Sequence, residues 1–450
     1  MSPQVRRSVL AGFALLAVSC SGGGVGAGGG TGASWSAPSY IPPPGAASMA
    51  WSEVRVGVDS TGAGMLFWST STGATTEYHY SRYAPASGWG AAVVFSPGAA
   101  VYQTPELGMQ GDGEAVLAWP RAGAVSVARA PSGGDFGAPV DVASATSPRG
   151  LQLQVRPTGH AVVGWTQDDG NGVPHAWASV YAPSGAWSTA ALVDASVYGL
   201  NPGSLRVAAD GLGGAFAVWS EQDVGAAGVW AARYAAATGW DAPTLLDTSS
   251  SSSAQPEIAA SRDGRAVAAW MQPDATGLLQ QVYTRRFDPA SGWSAAVLLM
   301  SSVTATGYSF PYPRVAMNDG GAALAVWREL DRTSVELTAL GSGATAGAWT
   351  TPVQLEGPLG SSSTSQDSWL TPALAGSGDG VAIWCDYAQV QTRRYHAGGS
   401  WGALAPLSSG TYAAGEPRIA MNASGQAIAA WTEILSAATD RVAVATFSGF

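Results

Sequence analysis

The chain has 450 residues, of which only 12% are charged, and carbon-rich residues together with 59 glycines dominate it; its formal net charge is −10. So few cations, outnumbered by carboxylates, leave no basic surface for nucleic acid or an anionic membrane. Length alone would suit about three ordinary domains, but the chain is repetitive, so one closed domain is expected instead.

Residues 1–20 carry Arg6 and Arg7, an apolar run from Val9 to Val18, and then Ser19-Cys20. A charged start, a short apolar stretch and small residues read as an export signal. The end of this segment, Leu16-Ala17-Val18-Ser19-Cys20, resembles the bacterial lipobox, with Ala17 where Leu is usual. That resemblance implies cleavage before Cys20, acylation of its thiol and a lipoprotein at the outer membrane or cell surface; a plain secreted chain is the alternative. Arg6-Arg7-Ser8-Val9-Leu10 also resembles a twin-arginine signal, with Val9 in place of Phe. Residues 21–34 are nearly all Gly, Ala and Ser, which cannot bury enough apolar area to order themselves and read as a flexible tether. With Cys20 acylated, Cys385 lacks a partner and is expected to be a free, buried thiol.

Residues 35–450 read as one unit copied round a circle. In the copy over residues 256–299, strands are predicted over 256–260, 265–270, 280–287 and 293–299, with Ser261-Arg262-Asp263-Gly264 as a tight turn. The second strand ends on an anchoring tryptophan, and eight such anchors occur: Trp68, Trp119, Trp165, Trp219, Trp270, Trp327, Trp384 and Trp431. Six residues before each stands a glycine, from Gly62 to Gly425, and successive anchors lie 46 to 57 residues apart. Four strands at this period predict an all-β, eight-bladed propeller; seven blades is the alternative if the shortened seventh unit is an insertion. The last unit lacks a fourth strand, and residues 35–41 resemble one with no blade before it. Those residues are therefore expected to pair onto the third strand of the last blade, closing the ring without an open sheet edge.

Most tryptophans are expected to pack the blades. Trp177, Trp230 and Trp369 fit no repeat position and are the candidates for stacking on a sugar. Candidate ligand contacts form two rings on one face. Thirteen residues before the anchors stand Arg55, Glu106, Gln152, Arg206, Glu257, Arg314 and Arg418, with Thr371 or Ala373 in the short unit. Two residues after the anchors stand Thr70, Arg121, Gln167, Glu221, Gln272, Glu329, Asp386 and Glu433. Two outcomes are open: arginines and glutamates of neighbouring blades pair with one another round a wet channel, or the arginines offer bidentate donors to an anionic or polar ligand.

Ser261-Arg262-Asp263-Gly264 with Trp270 is distantly similar to the Asp-box repeats of sialidase-type propellers. In those the motif reads Ser-x-Asp-x-Gly-x-x-Trp, so here Gly follows Asp directly and Trp comes later. The resemblance implies a glycoside hydrolase with three clustered arginines and a Tyr–Glu pair, but no catalytic residue carries over. Four scattered histidines, His79, His160, His175 and His396, argue against a metal site, and Gln167-Asp168-Asp169-Gly170-Asn171-Gly172 reads as a polar loop tip. The sequence thus points to a monomeric, non-enzymatic binding scaffold of the cell envelope without a cofactor, whose partner is a glycan, an anionic small molecule or an envelope protein. A sialidase-like hydrolase is the second reading.

Overall fold

The computed structural model describes residues 34–42, 53–71, 75–98, 101–183, 185–194, 204–221, 228–248, 253–276, 280–300, 312–331, 336–345, 348–356, 370–386, 389–436 and 439–450. The expected signal segment, Cys20, nearly all of the expected tether and Trp369 lie outside them. Among the described residues the secondary structure is strand without helix. The strands form two four-stranded and six five-stranded sheets, eight in all, and every pairing is antiparallel. The innermost strands touch in chain order: Val54–Val58 meets Glu106–Met109, each later one meets its successor, and Ala413–Met421 returns to Val54–Val58. This is an all-β propeller, and the short unit, from Thr371–Leu374 to Ala405–Pro406, forms a sheet of its own.

The repeat follows from two residues. The glycine six before each anchor has a left-handed backbone in every copy, φ running from 81° at Gly425 to 92° at Gly378. A side chain there would be strained, so only glycine lets the first strand reverse tightly into the second. The anchor then points between sheets: all eight tryptophans are at most 1% exposed. Trp68 meets Val442 and Val444 of the last sheet, and Trp119 meets Phe67 and Phe95 of the sheet before its own. The fourth strand departs from expectation. In most sheets it breaks into a two-residue piece ending in tryptophan, such as Gly292–Trp293, and a second piece such as Val297–Met300, both paired to the same third strand. The first piece sets its tryptophan against a third-strand aromatic, tilted in Tyr83–Trp89 and edge-on in Tyr395–Trp401, with ring centres 5.3 and 5.2 Å apart.

Trp177 and Trp230 do occupy a repeat position, contrary to the sequence reading. They lie on third strands directly opposite Trp165 and Trp219 and pack against the sheet cores. Varied residues fill that site in other copies, His79 and Ser126 among them, which hides the periodicity. Cys385 is buried as expected, and its thiol donates to the Ala414 carbonyl at 2.9 Å.

Third-strand arginines staple several of the sheets to the next. Arg129 lies 4.3 Å from the ring centre of Tyr181, Arg233 5.4 Å from Phe287 and Arg394 4.9 Å from Phe447. At the turn end of the channel a collar of hydrogen bonds passes through all eight sheets. Ser60 N–H donates to Gly111 O, Gly111 to Pro157 O, Gly211 to Arg262 O and Gly376 to Ala423 O. Pro157 has no N–H, and there Ala209 N–H donates to the Gln154 side chain instead. Arg262 N–H donates to Asp319 Oδ1, while the amides of Asn318 and Asn422 reach the carbonyls of Ala375 and Asp59.

The ends of the chain meet as expected. Ser39–Ile41 pairs with the last strand, Tyr40 opposite Ala443, and Trp35 bridges to Phe447. Arg441 sits 3.6 Å from the Tyr40 ring centre and 4.9 Å from that of Tyr412, clamping the added strand. Ile41 is 4% exposed. Burying Ile41 and most of Trp35 contributes on the order of 2–3 kcal/mol each. Deleting residues 34–42 should therefore lower the thermal midpoint by about 5 °C or more; a midpoint within about 1 °C of the full chain would contradict the closure. A second comparison isolates the anchor's hydrogen bond. Trp270 Nε1 donates to Gln272 at 3.1 Å, whereas the buried Trp119 Nε1 has no partner. In urea unfolding, Trp270→Phe should cost about 1 kcal/mol more than Trp119→Phe.

Candidate functional site

The residues thirteen before the anchors all lie near the outer ends of the innermost strands, on the side of the disc opposite the turns. Their backbone partners match across the copies: Arg55 opposes Phe67, Arg206 Val218, Arg314 Val326 and Arg418 Ala430. The preceding residue, a Val, Leu or Pro such as Val54, Leu205 or Pro417, is buried against the previous sheet. Strand alternation then sends the next side chain toward the channel. The ring is recessed: Arg55 is 13% exposed, Glu257 14% and Arg314 21%.

A backbone irregularity sets this mouth. Two residues before the ring, Gln255, Tyr312 and Glu416 have φ of 54°, 36° and 50°, and Gly150 at the same place has 60°. Register shifts follow between Arg149 and Gln152, Ala254 and Glu257, and Gly415 and Arg418. Such bulges re-aim the side chains beside them, and left-handed backbone at a residue other than glycine costs on the order of 1 kcal/mol or more.

Charges round the ring are partly paired. Arg55 donates to both Glu106 oxygens at 2.8 Å from Nε and Nη2. Burial disfavours its charge, yet Glu106, by charge and by hydrogen bond, outweighs burial and holds Arg55 above the usual arginine range. Arg206 Nε donates to Glu257 Oε1 at 2.9 Å, and Arg314 shares that same oxygen. Gln152 folds back onto the Leu151 carbonyl, and Thr371, the short residue between Arg314 and Arg418, donates weakly to Pro417 O.

Arg418 differs. It is half-buried, and among the described residues neither a hydrogen bond nor an ion pair engages it. Burial first, then the like charges of Arg55 and Arg314, hold its guanidinium below the usual arginine range, while Glu416 and Glu106 pull the other way. The mouth therefore holds four arginines, with Glu106 and Glu257 in the ring and Glu53 and Glu416 beside it, and Arg418 is the arginine of the ring that no hydrogen bond or ion pair engages among the described residues.

Five members of the second ring of the sequence reading, Thr70, Arg121, Gln167, Gln272 and Glu433, are engaged away from this mouth. They serve the sheets: Gln167, Gln272 and Glu433 accept the indole N–H of Trp165, Trp270 and Trp431. Glu433 is 1% exposed and also accepts from Arg441 Nε at 2.8 Å, so it belongs to blade packing. Thr70 contacts His79, Arg121 pairs with Asp141, and Glu221 N–H donates to Gly228 O. The side chains of Glu329 and Asp386 lie outside the described part. The physical reason is alternation: residues at even offsets from a buried tryptophan share its side of the strand and point between sheets.

One functional pair escaped the sequence reading. Arg156 belongs to the third sheet, yet its Nη1 donates to Ala260 O of the fifth at 3.1 Å and its Nη2 pairs with Asp319 of the sixth. The signal was present, since Arg156 is the one cation at a repeat position otherwise filled by Asp, Gln, Ser, Asn or Ala. Elsewhere, Ser261 and Arg265 engage Asp263 within their own turn, and the Asp169 carboxylate accepts the Asn171 and Val173 amides. Among the described residues no group of three or more His, Cys, Asp or Glu is placed to hold a metal ion.

No family model and no curated protein matches the sequence. Among solved structures, the chain is similar to the polysaccharide lyase Uly1, with 11% identity over 75% of this chain and 88% of that one and a TM-score of 0.46. It is similar to the Hadza microbial sialidase Hz136, with 13% identity over 82% and 76% and a TM-score of 0.37. It is also similar to the fucose-recognising lectin of Aleuria aurantia, a six-bladed propeller, with 12% identity over 67% and 95% and a TM-score of 0.36. Likenesses this distant carry no argument about activity.

Proposed function

We propose that this chain is a non-enzymatic binding module, an eight-bladed propeller that receives an anionic group of its ligand at the arginine-bearing channel mouth. One observation carries the reading: Arg418, partly buried between Arg314 and Arg55, has neither a hydrogen bond nor an ion pair among the described residues, and the short Thr371 stands at the intervening ring position. A half-buried guanidinium flanked by two others gains little from its neighbours, and an anion with two oxygens would satisfy its fork of donors. An acidic glycan and a small organic acid both belong to this class. Arg55, Arg206 and Arg314 are each tied to a glutamate, which supports binding over a hydrolase whose three arginines would converge on one carboxylate. Export and a lipid anchor at Cys20 are part of the same proposal and place the mouth outside the cytoplasm.

Calorimetric titration with sulfate, phosphate and glucuronate at low ionic strength tests it. One site per chain is expected for at least one of these anions, weakened tenfold or more by Arg418→Ala and unaffected by Arg265→Ala on the turn face. Equal affinity in wild type and Arg418→Ala would overturn the reading. Without added anion, Arg418→Met should raise stability by about 1 kcal/mol, because it removes an unpaired charge from a recess of like charge. A bound anion should then stabilise wild type and leave Arg418→Met unmoved; a loss of stability in Arg418→Met would contradict it.

A further inference from the structure

The two ends of the channel are built differently. At the turn end the eight sheets are drawn together by the collar of hydrogen bonds, and Arg156 crosses the axis. The sheets flanking the third are the second and fourth, so a side chain that reaches from the third to Ala260 of the fifth and Asp319 of the sixth must span the opening itself. Arg156 is 8% exposed, and Asp319 is held in turn by the Arg262 N–H at 3.0 Å. At the other end, Arg314 and Arg418, also on different sheets, make no such contact. Between the two levels the innermost strands advance about four residues, roughly 13 Å. Ala259, Ala316 and Ala420, small and partly exposed, lie two residues in from the arginine ring on the same side of their strands.

We propose that the channel is a well with one open mouth and a floor made by Arg156 and Asp319, and that its ligand enters end-on. This rests on the binding function proposed above and names the ligand class: the anionic group terminates its molecule. A chain cannot thread through the closed floor. A chain lying across the rim holds its internal groups above a ring whose charged members are only 13% to 23% exposed. Only a group at a free end reaches Arg418, with the rest of the molecule trailing into solvent.

The test uses the whole protein and synthetic probes in which the position of the anion is the variable. One set consists of linear polyethylene glycol chains ending in a carboxylate, a sulfate or a phosphate, which also separates the three head groups. The other carries the carboxylate at the junction of two such chains. The inference expects Arg418-dependent binding of at least one linear probe, with the junction carboxylate at least tenfold weaker than the linear carboxylate. Equal, Arg418-dependent affinity for linear and junction carboxylates would overturn the end-on well and leave the binding function standing. No Arg418-dependent binding of any probe would remove the binding function and this inference with it.

Discussion

A circular stack of sheets keeps its shape only when its first and last members are joined, and here the join is a strand from the opposite end of the chain. Ser39–Ile41 supplies what the last sheet lacks, beside Ala443 and Val444. Everything at the channel mouth depends on it, because Arg418 belongs to that last sheet and Arg55 to the first. The two arginines stand side by side only in a closed ring. The Tyr40–Arg441–Tyr412 stack ties this seam to the blade interior through Glu433, which also accepts the anchor Trp431.

The electrostatics of the mouth gain meaning from the poverty of charge elsewhere. With 21 cations in 450 residues, most arginines have visible structural duties. Some cover aromatic rings of the next sheet, Arg156 spans the floor, and Arg121 and Arg441 hold carboxylates. Arg55, Arg206 and Arg314 are balanced by two glutamates placed one sheet away. Arg418 has a place in the pattern and feels the charge of Glu416 two residues before it, but among the described residues no ion pair or hydrogen bond engages it. Paired neighbours give the mouth rigidity, and the unpaired one gives it a reason to recruit an anion.

How much of this was legible follows from how each contact is encoded. Gly264 and Trp270 could be read because the same two constraints, a left-handed turn and a buried indole, return in every copy. Arg55, Arg314 and Arg418 could be read for the same reason, as could the complementarity of the two chain ends. Glu433 was assigned to the wrong surface because an offset of two from a buried tryptophan fixes a side of the strand, and counting alone treated it as a level along the axis. Trp177 and Trp230 were missed as packing residues because the site opposite the anchor accepts His, Ser, Trp or Tyr. The Arg156–Asp319 contact joins residues 163 apart at different repeat positions, and no periodicity reports a contact across the axis.

The proposed seat of an anion at one arginine of the ring is tested by diffraction from crystals soaked in selenate, since the selenium atom announces itself by anomalous scattering. A peak is expected in the recess between Arg314 and Arg55, with selenate oxygens at about 3 Å from the Arg418 guanidinium. Selenate bound at other surfaces while Arg418 stays bare, or Arg418 found paired with a carboxylate of its own chain, would contradict it.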